Sequence, residues 1–336
     1  VAPGVVAGLS ARAIFLGQAH SCAITGSEVR CWGDPRGLRL GSPIGLPMQP
    51  TPTLVPDVTP MDGVPGAAGD RFSCVINARG AVQCWGAGPL GQLGHTAGTV
   101  DTAGPGEGGV RDLFTVLELA AGARHVCART ASTVSCWGAD TLGQLGRGTD
   151  GQPRALARPV RFDPGVTSAT VIATGGAHAC AIVSGAVWCW GAGSAGQLGN
   201  GRFGHVNTPV RVSASMGDAP TALCAGLEHT CAIYGTGVWC WGANALGQLG
   251  DGMAMTRSAV PVGVAGLPSP PVSLACGSAY TCARLSDSSV HCWGSNNSRV
   301  LAAVLPGGMT YRATPGPVPG LSAASIASGL SSMCAV

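Results

Sequence analysis

The sequence predicts an all-β fold, a β-propeller of four-stranded blades, on three observations. One unit recurs around a cysteine, at Cys22, Cys74, Cys127, Cys180, Cys231 and Cys282, with spacings of 52, 53, 53, 51 and 51 residues. A period this regular marks a stacked or circular array of one supersecondary unit. Each unit reads as four short strands between turn residues, without helical periodicity. The chain also carries 54 Gly in 336 residues, which suits many tight turns. Four strands at this period describe a propeller blade.

The copies read HSCAITGSEVRCWG from His20, FSCVINARGAVQCWG from Phe72, HVCARTASTVSCWG from His125, HACAIVSGAVWCWG from His178, HTCAIYGTGVWCWG from His229 and YTCARLSDSSVHCWG from Tyr280. Folding the first copy about Gly26-Ser27 gives a two-residue hairpin. Thr25 then faces Glu28, Ile24 faces Val29, Ala23 faces Arg30, and Cys22 faces Cys31. The cysteines fall on a non-hydrogen-bonded pair, where side chains come closest and a disulfide can form.

Cys127–Cys136, Cys180–Cys189 and Cys231–Cys240 keep the same eight-residue interval. Cys74–Cys84 and Cys282–Cys292 have nine, as a three-residue turn needs. Six intrablade disulfides are therefore expected. Fifteen cysteines are too many for a reducing compartment unless they bind metal. The short Cys-x-x-Cys knuckles and convergent His sets of metal sites are missing, so no metal and no cofactor are expected.

Trp-Gly follows the second cysteine in all six copies, at Trp32, Trp85, Trp137, Trp190, Trp241 and Trp293. A bulky ring at one place in every unit is expected to fill the seam between units. Trp188 and Trp239 occur in two copies only and are candidates for an exposed contact. Gly-Gln-Leu-Gly stands at 91–94, 143–146, 196–199 and 247–250. It reads as a turn with special backbone angles around an apolar plug. It decays to Leu-Arg-Leu-Gly at 38–41 and is lost at 298–301. The Lys-Ser/Thr of a phosphate-binding loop does not follow it.

The pattern Ala-Gly-x-x-His-Thr-Cys-Ala … Trp-Gly-x-Asn-x-x-Gly-Gln-Leu-Gly-x-Gly, best preserved at 225–252, resembles the repeat of the regulator of chromosome condensation family. The resemblance runs over essentially the whole chain and implies a seven-bladed β-propeller. Members of that family act in nucleotide exchange on a small GTPase, as ubiquitin-ligation scaffolds and, in a secreted bacterial case, in β-lactamase inhibition. The paired cysteines, low charge and lack of a basic tail set this chain apart from nuclear members. It looks closer to bacterial secreted ones, which implies a secreted or cell-surface protein.

Repeats are expected near 9–60, 61–113, 114–166, 167–217, 218–268 and 269–320, all within one domain. Residues 321–336 make a partial seventh. Pro3-Gly-Val-Val-Ala-Gly-Leu9 matches Pro315-Gly-Pro-Val-Pro-Gly-Leu321, so 1–8 are expected to close that seventh blade. Cys334 aligns with the first cysteine of a pair and has no second, which suggests an intermolecular bond. Cys224 and Cys276 sit one position apart in aligned repeats and could form an interblade bridge. The chain begins without Met or a signal peptide and reads as a processed form.

Charge is sparse. All 19 basic residues are Arg and the formal net charge is +3, with no basic run. Nucleic-acid binding is not expected, and no apolar run is long enough for a membrane span. His20, His125, His178 and His229 share one repeat position and in principle make a metal ring. Phe72 and Tyr280 replace them elsewhere, which favours a structural role. His95, His205 and His291 are scattered. Asp34, Asp140, Asp251 and Asp287 lie in turns, where Asp is common. Asn296-Asn-Ser298 is a glycosylation sequon by pattern, and the loops 46–66 and 95–110 are further candidates for glycans. No catalytic constellation appears, so no enzyme is expected. The expected role is structural or protein-binding and extracellular, including a self-assembling surface or fibre subunit. The alternatives are a secreted binding module or enzyme inhibitor using one face, with Phe203, Tyr311, Trp188 and Trp239 as contacts, and an exchange-factor-like regulator.

Overall fold

The computed structural model describes residues 4–41, 48–94, 102–104, 109–148, 151–213, 216–302, 305 and 308–336. Six antiparallel four-stranded sheets follow one another over 13–54, 67–103, 118–159, 169–211, 220–263 and 271–322, numbered here blades 1 to 6. In every blade, strands adjacent in sequence are adjacent in the sheet. Blade 5 shows the plan, with strands Pro220–Ala225, His229–Tyr234, Gly237–Gly242 and Ser258–Gly263. The first strand of each blade, together with residues 326–330, lines a central channel of about 270 Å³.

The expectation of seven blades is corrected to six four-stranded ones. The remaining place in the ring holds a two-stranded sheet, Ile326–Ser328 paired with Met333–Ala335. Its inner strand lies between the inner strands of blades 6 and 1. Residues 4–8 form no strand, and Val5 is exposed; residues 1–3 lie outside the described residues. The reason is one of pairing. An outermost strand needs a third strand to bond to, and among the described residues no strand pairs with the outer edge of Met333–Ala335.

The hairpin arithmetic gives the register of the central strands. In blade 1, Thr25 faces Glu28, Ile24 faces Val29, Ala23 faces Arg30 and Cys22 faces Cys31. Gly26 supplies the positive φ (74°) that a two-residue turn demands. In blade 2 the longer turn places Gly80 at φ 75°, and Asn77 Oδ1 accepts the amides of Arg79 and Ala81. Disulfides join Cys22–Cys31, Cys74–Cys84, Cys127–Cys136, Cys180–Cys189, Cys231–Cys240 and Cys282–Cys292, with Cα separations of 4.0–4.2 Å. A seventh, Cys224–Cys276, ties blade 5 to blade 6.

Two of the sets of contacts that join the blades recur along the ring. Near the channel, backbone amides donate to the next blade: Gln18 to Gly69 O, Asp70 to Ala123 O, Ala123 to Gly176 O, Gly176 to Gly226 O, Leu227 to Ser278 O and Ser278 to Leu330 O. Farther out, a tryptophan crosses each of the five seams between four-stranded blades. The indole N–H of Trp85, Trp137, Trp190, Trp241 and Trp293 donates at 2.9–3.1 Å to the carbonyl of Arg39, Gln92, Gln144, Gln197 and Gln248 on the preceding blade. All five rings are fully buried.

The Gly-Gln-Leu-Gly turn is built for this. Its Gln carbonyl accepts the indole, and its Leu (Leu145, Leu198 or Leu249) plugs the core. A Cβ on its second glycine, as at Gly199, would press into the next tryptophan ring. The turn survives where its sequence decays. Arg299 and Ala302 adopt φ of 58° and 49°, and Leu301 is fully buried. In blade 1, Leu38 takes φ 57° and Leu40 is buried.

Trp32 was expected to fill a seam as well, but it is only half-buried. Among the described residues, the place before it in the ring holds only the two-stranded sheet. Truncating a fully buried seam ring costs about 3–5 kcal/mol. Trp241→Ala is therefore expected to lower the unfolding free energy by that amount, and Trp32→Ala by less than half of it, measured by urea denaturation.

Candidate functional site

The shared histidine position builds the same seams and does not converge on a metal. Nε2 of His20, His178 and His229 lies 2.8, 2.9 and 2.9 Å from the hydroxyls of Ser73, Thr230 and Thr281 on the following blade. Those hydroxyls donate onward to the carbonyls of Arg39, Gln197 and Gln248. The imidazole N–H is thus the donor to the hydroxyl oxygen. The accepting carbonyls are the ones that also take the indole N–H of Trp85, Trp241 and Trp293. At Gly175 a Cβ would collide with the His178 ring and with Gly226 O, which explains the glycine three residues before the histidine.

Where the chemistry changes, both sides change together. Phe72 faces Val126 within one apolar cluster. Tyr280 reaches past the seam to Gly329 O and Ser332 O at 3.0 and 2.6 Å. His125 is the exception: Ala179 stands where the hydroxyl belongs, and His125 Nε2 is buried without a partner. Burial holds all four imidazoles far below their ordinary value of 6.5, to about 3 for His20 and His178 and about 4 for His125 and His229. Neighbouring charge adds to burial at His20, from Arg39, and at His178, from His125 and His229.

The other candidates resolve into turn anchors. Oδ1 of Asp140, Asn244 and Asn296 accepts the amide of Leu145, Leu249 and Leu301, five residues on. Asn296, the sequon residue, is thus engaged in its own turn. Asp34 is buried, and the Arg36 guanidinium bonded to it holds its carboxyl down at about 2. His205 Nδ1 accepts the Gly193 amide, and His95 lies outside the described residues. Among the described residues, the one group of His, Cys, Asp or Glu side chains close enough to share a ligand is Cys224, Cys231 and Cys276, and all three are in disulfides.

Of the proposed contact residues, Trp188 and Trp239 are half-buried against the blade cores, Trp188 edge-on to Phe162 at 6.4 Å. Tyr311 is half-buried too. Phe203 is 51% exposed, with the Arg257 guanidinium 4.4 Å over its ring. Arg257 Nη1 also donates to Ser194 O. Two residues back along the same loop, Met255 is 81% exposed, and Met253 is 58% exposed. The loop is held from beneath by the buried Asn244, whose carbonyl accepts the Met255 amide and whose side chain donates to Met253 O. Met255 takes φ 72°, a conformation unfavourable for a bulky side chain. The sequence reading missed this pair; two methionines in Gly-Met-Ala-Met-Thr-Arg were the available signal. Cys334 is unpaired and half-buried, and burial pushes its thiol up.

Residues 184–233 and 237–284 match the family model of the regulator of chromosome condensation (RCC1) repeat, and residues 272–299 match a second RCC1-repeat model. These segments carry RCC1-type repeats, and the fold is an RCC1-like β-propeller. It is 33% identical over 283 residues to the human E3 ubiquitin-protein ligase HERC2, covering 81% of this chain and 6% of HERC2. It is 27% identical over 300 residues to the ultraviolet-B receptor UVR8 of Arabidopsis thaliana, covering 84% of this chain and 64% of UVR8. The chain thus spans less than two thirds of these curated relatives. Among solved structures, human WBSCR16 superposes with a TM-score of 0.85 at 21% identity over 97% of this chain and 87% of that one. Yeast RCC1 (Prp20) bound to Kap60 gives 0.78 at 19% identity over 95% and 78%. These two likenesses concern the fold.

The buried imidazoles dictate an acid sensitivity. Their folded-state values lie below 6.5, so the unfolded chain binds protons that the native chain excludes. Stability is complete above pH 6.5 and falls on acidification until the native imidazoles titrate near pH 4 to 3, by up to about 1.4 kcal/mol per pH unit for each histidine. Urea denaturation at pH 7, 6 and 5 is expected to show this slope. His178→Phe with Thr230→Val, which copies the Phe72–Val126 seam, is expected to make it shallower. Ala179→Ser gives His125 the missing hydroxyl and is expected to raise stability by about 1 kcal/mol at pH 7, read from the same denaturation curves.

Proposed function

We propose that this propeller is a non-catalytic, extracellular protein-binding module that docks its partner through the loops after the third strands of blades 4 and 5. One observation carries the reading: Phe203 is exposed and capped by Arg257, whose own loop, anchored to the buried seam, also exposes Met253 and Met255. Aromatic and Arg side chains dominate binding energy at protein interfaces, and methionines supply adaptable apolar contact. RCC1-like propellers are a protein-interaction fold, and a solved relative is the yeast protein in complex with Kap60. Seven disulfides suit an oxidising compartment and support placement outside the cell.

A second reading is self-assembly through Cys334 and the edge of Met333–Ala335, which no strand among the described residues pairs with. The raised thiol of Cys334 weakens its covalent form, because the thiolate is the reactive species. The triple variant Phe203→Ala, Met253→Ser, Met255→Ser separates the readings. With the thermal midpoint unchanged, it is expected to lose at least tenfold in affinity for the partner cross-linked to the wild-type protein in its native medium. Full retention of that partner overturns the patch. A wild-type ladder on non-reducing electrophoresis that collapses on reduction supports assembly instead.

A further inference from the structure

Cys224 and Cys276 differ from every other bridged pair. They join two blades across a sequence separation of 52, whereas the other six bridges close hairpins at separations of 9 or 10. Both sit on innermost strands and line the central channel. They are 7% and 8% exposed, against 0–1% for every hairpin cysteine. Their Sγ atoms and that of Cys231 all lie within 4.8 Å of one another. Cys224 is also the cross-strand partner of Cys231, which is itself bonded to Cys240. Among the described residues no other hairpin bridge has two foreign sulfurs gathered around it.

We propose that Cys224–Cys276 is a redox site, a port through which a small dithiol in the channel reduces this chain and passes reduction to the buried Cys231–Cys240 bridge. In the first step a thiolate of the dithiol attacks the Cys224–Cys276 bond. A mixed disulfide forms, and one cysteine leaves as thiolate. The second thiolate of the dithiol attacks that mixed disulfide, releasing the other cysteine and closing the reductant into a cyclic disulfide. Two electrons have moved from dithiol to protein, and the two protons of the dithiol pass through solvent to the cysteines. Cys224, as thiolate, then attacks Cys231 Sγ. The Cys224–Cys231 bond forms, the Cys231–Cys240 bond breaks, and Cys240 leaves as thiolate and takes a proton. This exchange moves no net electrons. The sealed bridges of blades 1 to 4 have neither the access nor the neighbouring sulfur, and both conditions govern exchange rates.

The test is limited reduction of the full native chain with dithiothreitol, followed by acid quench, alkylation and peptide mass mapping. Cys224 and Cys276 are expected to be labelled first, then Cys240 together with a Cys224–Cys231 cross-linked peptide. Cys136 and Cys189 should stay protected. In Cys224→Ser/Cys276→Ser, labelling of Cys240 is expected to slow at least tenfold, towards the rate of Cys136. Equal labelling of Cys240 in both proteins overturns the relay, and hairpin cysteines labelled as fast as Cys224 overturn the port. Cys276→Ser alone gives a check that needs no reductant and keeps Cys224. Its free thiol should be shared between Cys224 and Cys240, and a thiol confined to Cys224 in the folded variant overturns the exchange step.

Discussion

The structure depends on one carbonyl oxygen per seam. At Gln197, and again at Gln248, a turn of one blade accepts an indole N–H and a threonine hydroxyl from the next. The hydroxyl in turn is held by a histidine of the blade that supplied the carbonyl. Three polar groups that would each be costly to bury alone satisfy one another in a region closed to water. The arrangement also fixes the position of each blade against its neighbour, because a small slide would break all three bonds together. A seam of apolar contacts alone would tolerate such a slide far better.

This explains why the repeat is conserved within the chain where it is. The glycine of Ala-Gly-x-x-His makes room for the imidazole, and the second glycine of Gly-Gln-Leu-Gly makes room for the indole. The disulfide behind the tryptophan locks the hairpin that carries both threonine and ring. Each motif is one part of a contact whose other part lies about fifty residues away. A stretch of one blade read alone therefore looks like a binding motif, although its partner is the next copy of itself.

The register of every hairpin was legible, because turn length and period-two alternation are local. Hairpin cysteine pairing belongs to the same class. The histidine's role was not legible. It depends on which residue follows the histidine position in the next repeat, and His125 opposite Ala179 shows that the rule is not kept everywhere. Closure of the ring was legible only in part, for a related reason. The likeness of Pro3–Leu9 to Pro315–Leu321 concerns side chains, whereas forming a strand requires a neighbour with free amides and carbonyls. Trp32, half-buried beside the two-stranded sheet, lies at the same junction. Surface recognition was only partly legible. Phe203 stood out as an aromatic in a loop, but the exposure of Met253 and Met255 follows from how Asn244 props their backbone.

The division of labour inside the third-to-fourth-strand loop bears on where binding can evolve. Its first half must remain Gly-Gln-Leu-Gly or take the same backbone angles, as Arg299 and Ala302 do, or the seam opens. Beyond the backbone bond that Gly148, Gly201 and Gly252 donate to the next blade, its second half varies from copy to copy. In blades 4 and 5 that half carries Phe203, Met253, Met255 and Arg257. The central channel offers less freedom for a large partner, since many of its lining residues are the glycines and alanines that let seven inner strands approach. The proposed docking function suits the loops because the seams hold their roots still, and a rigid base lowers the ordering cost that a flexible loop would incur on binding.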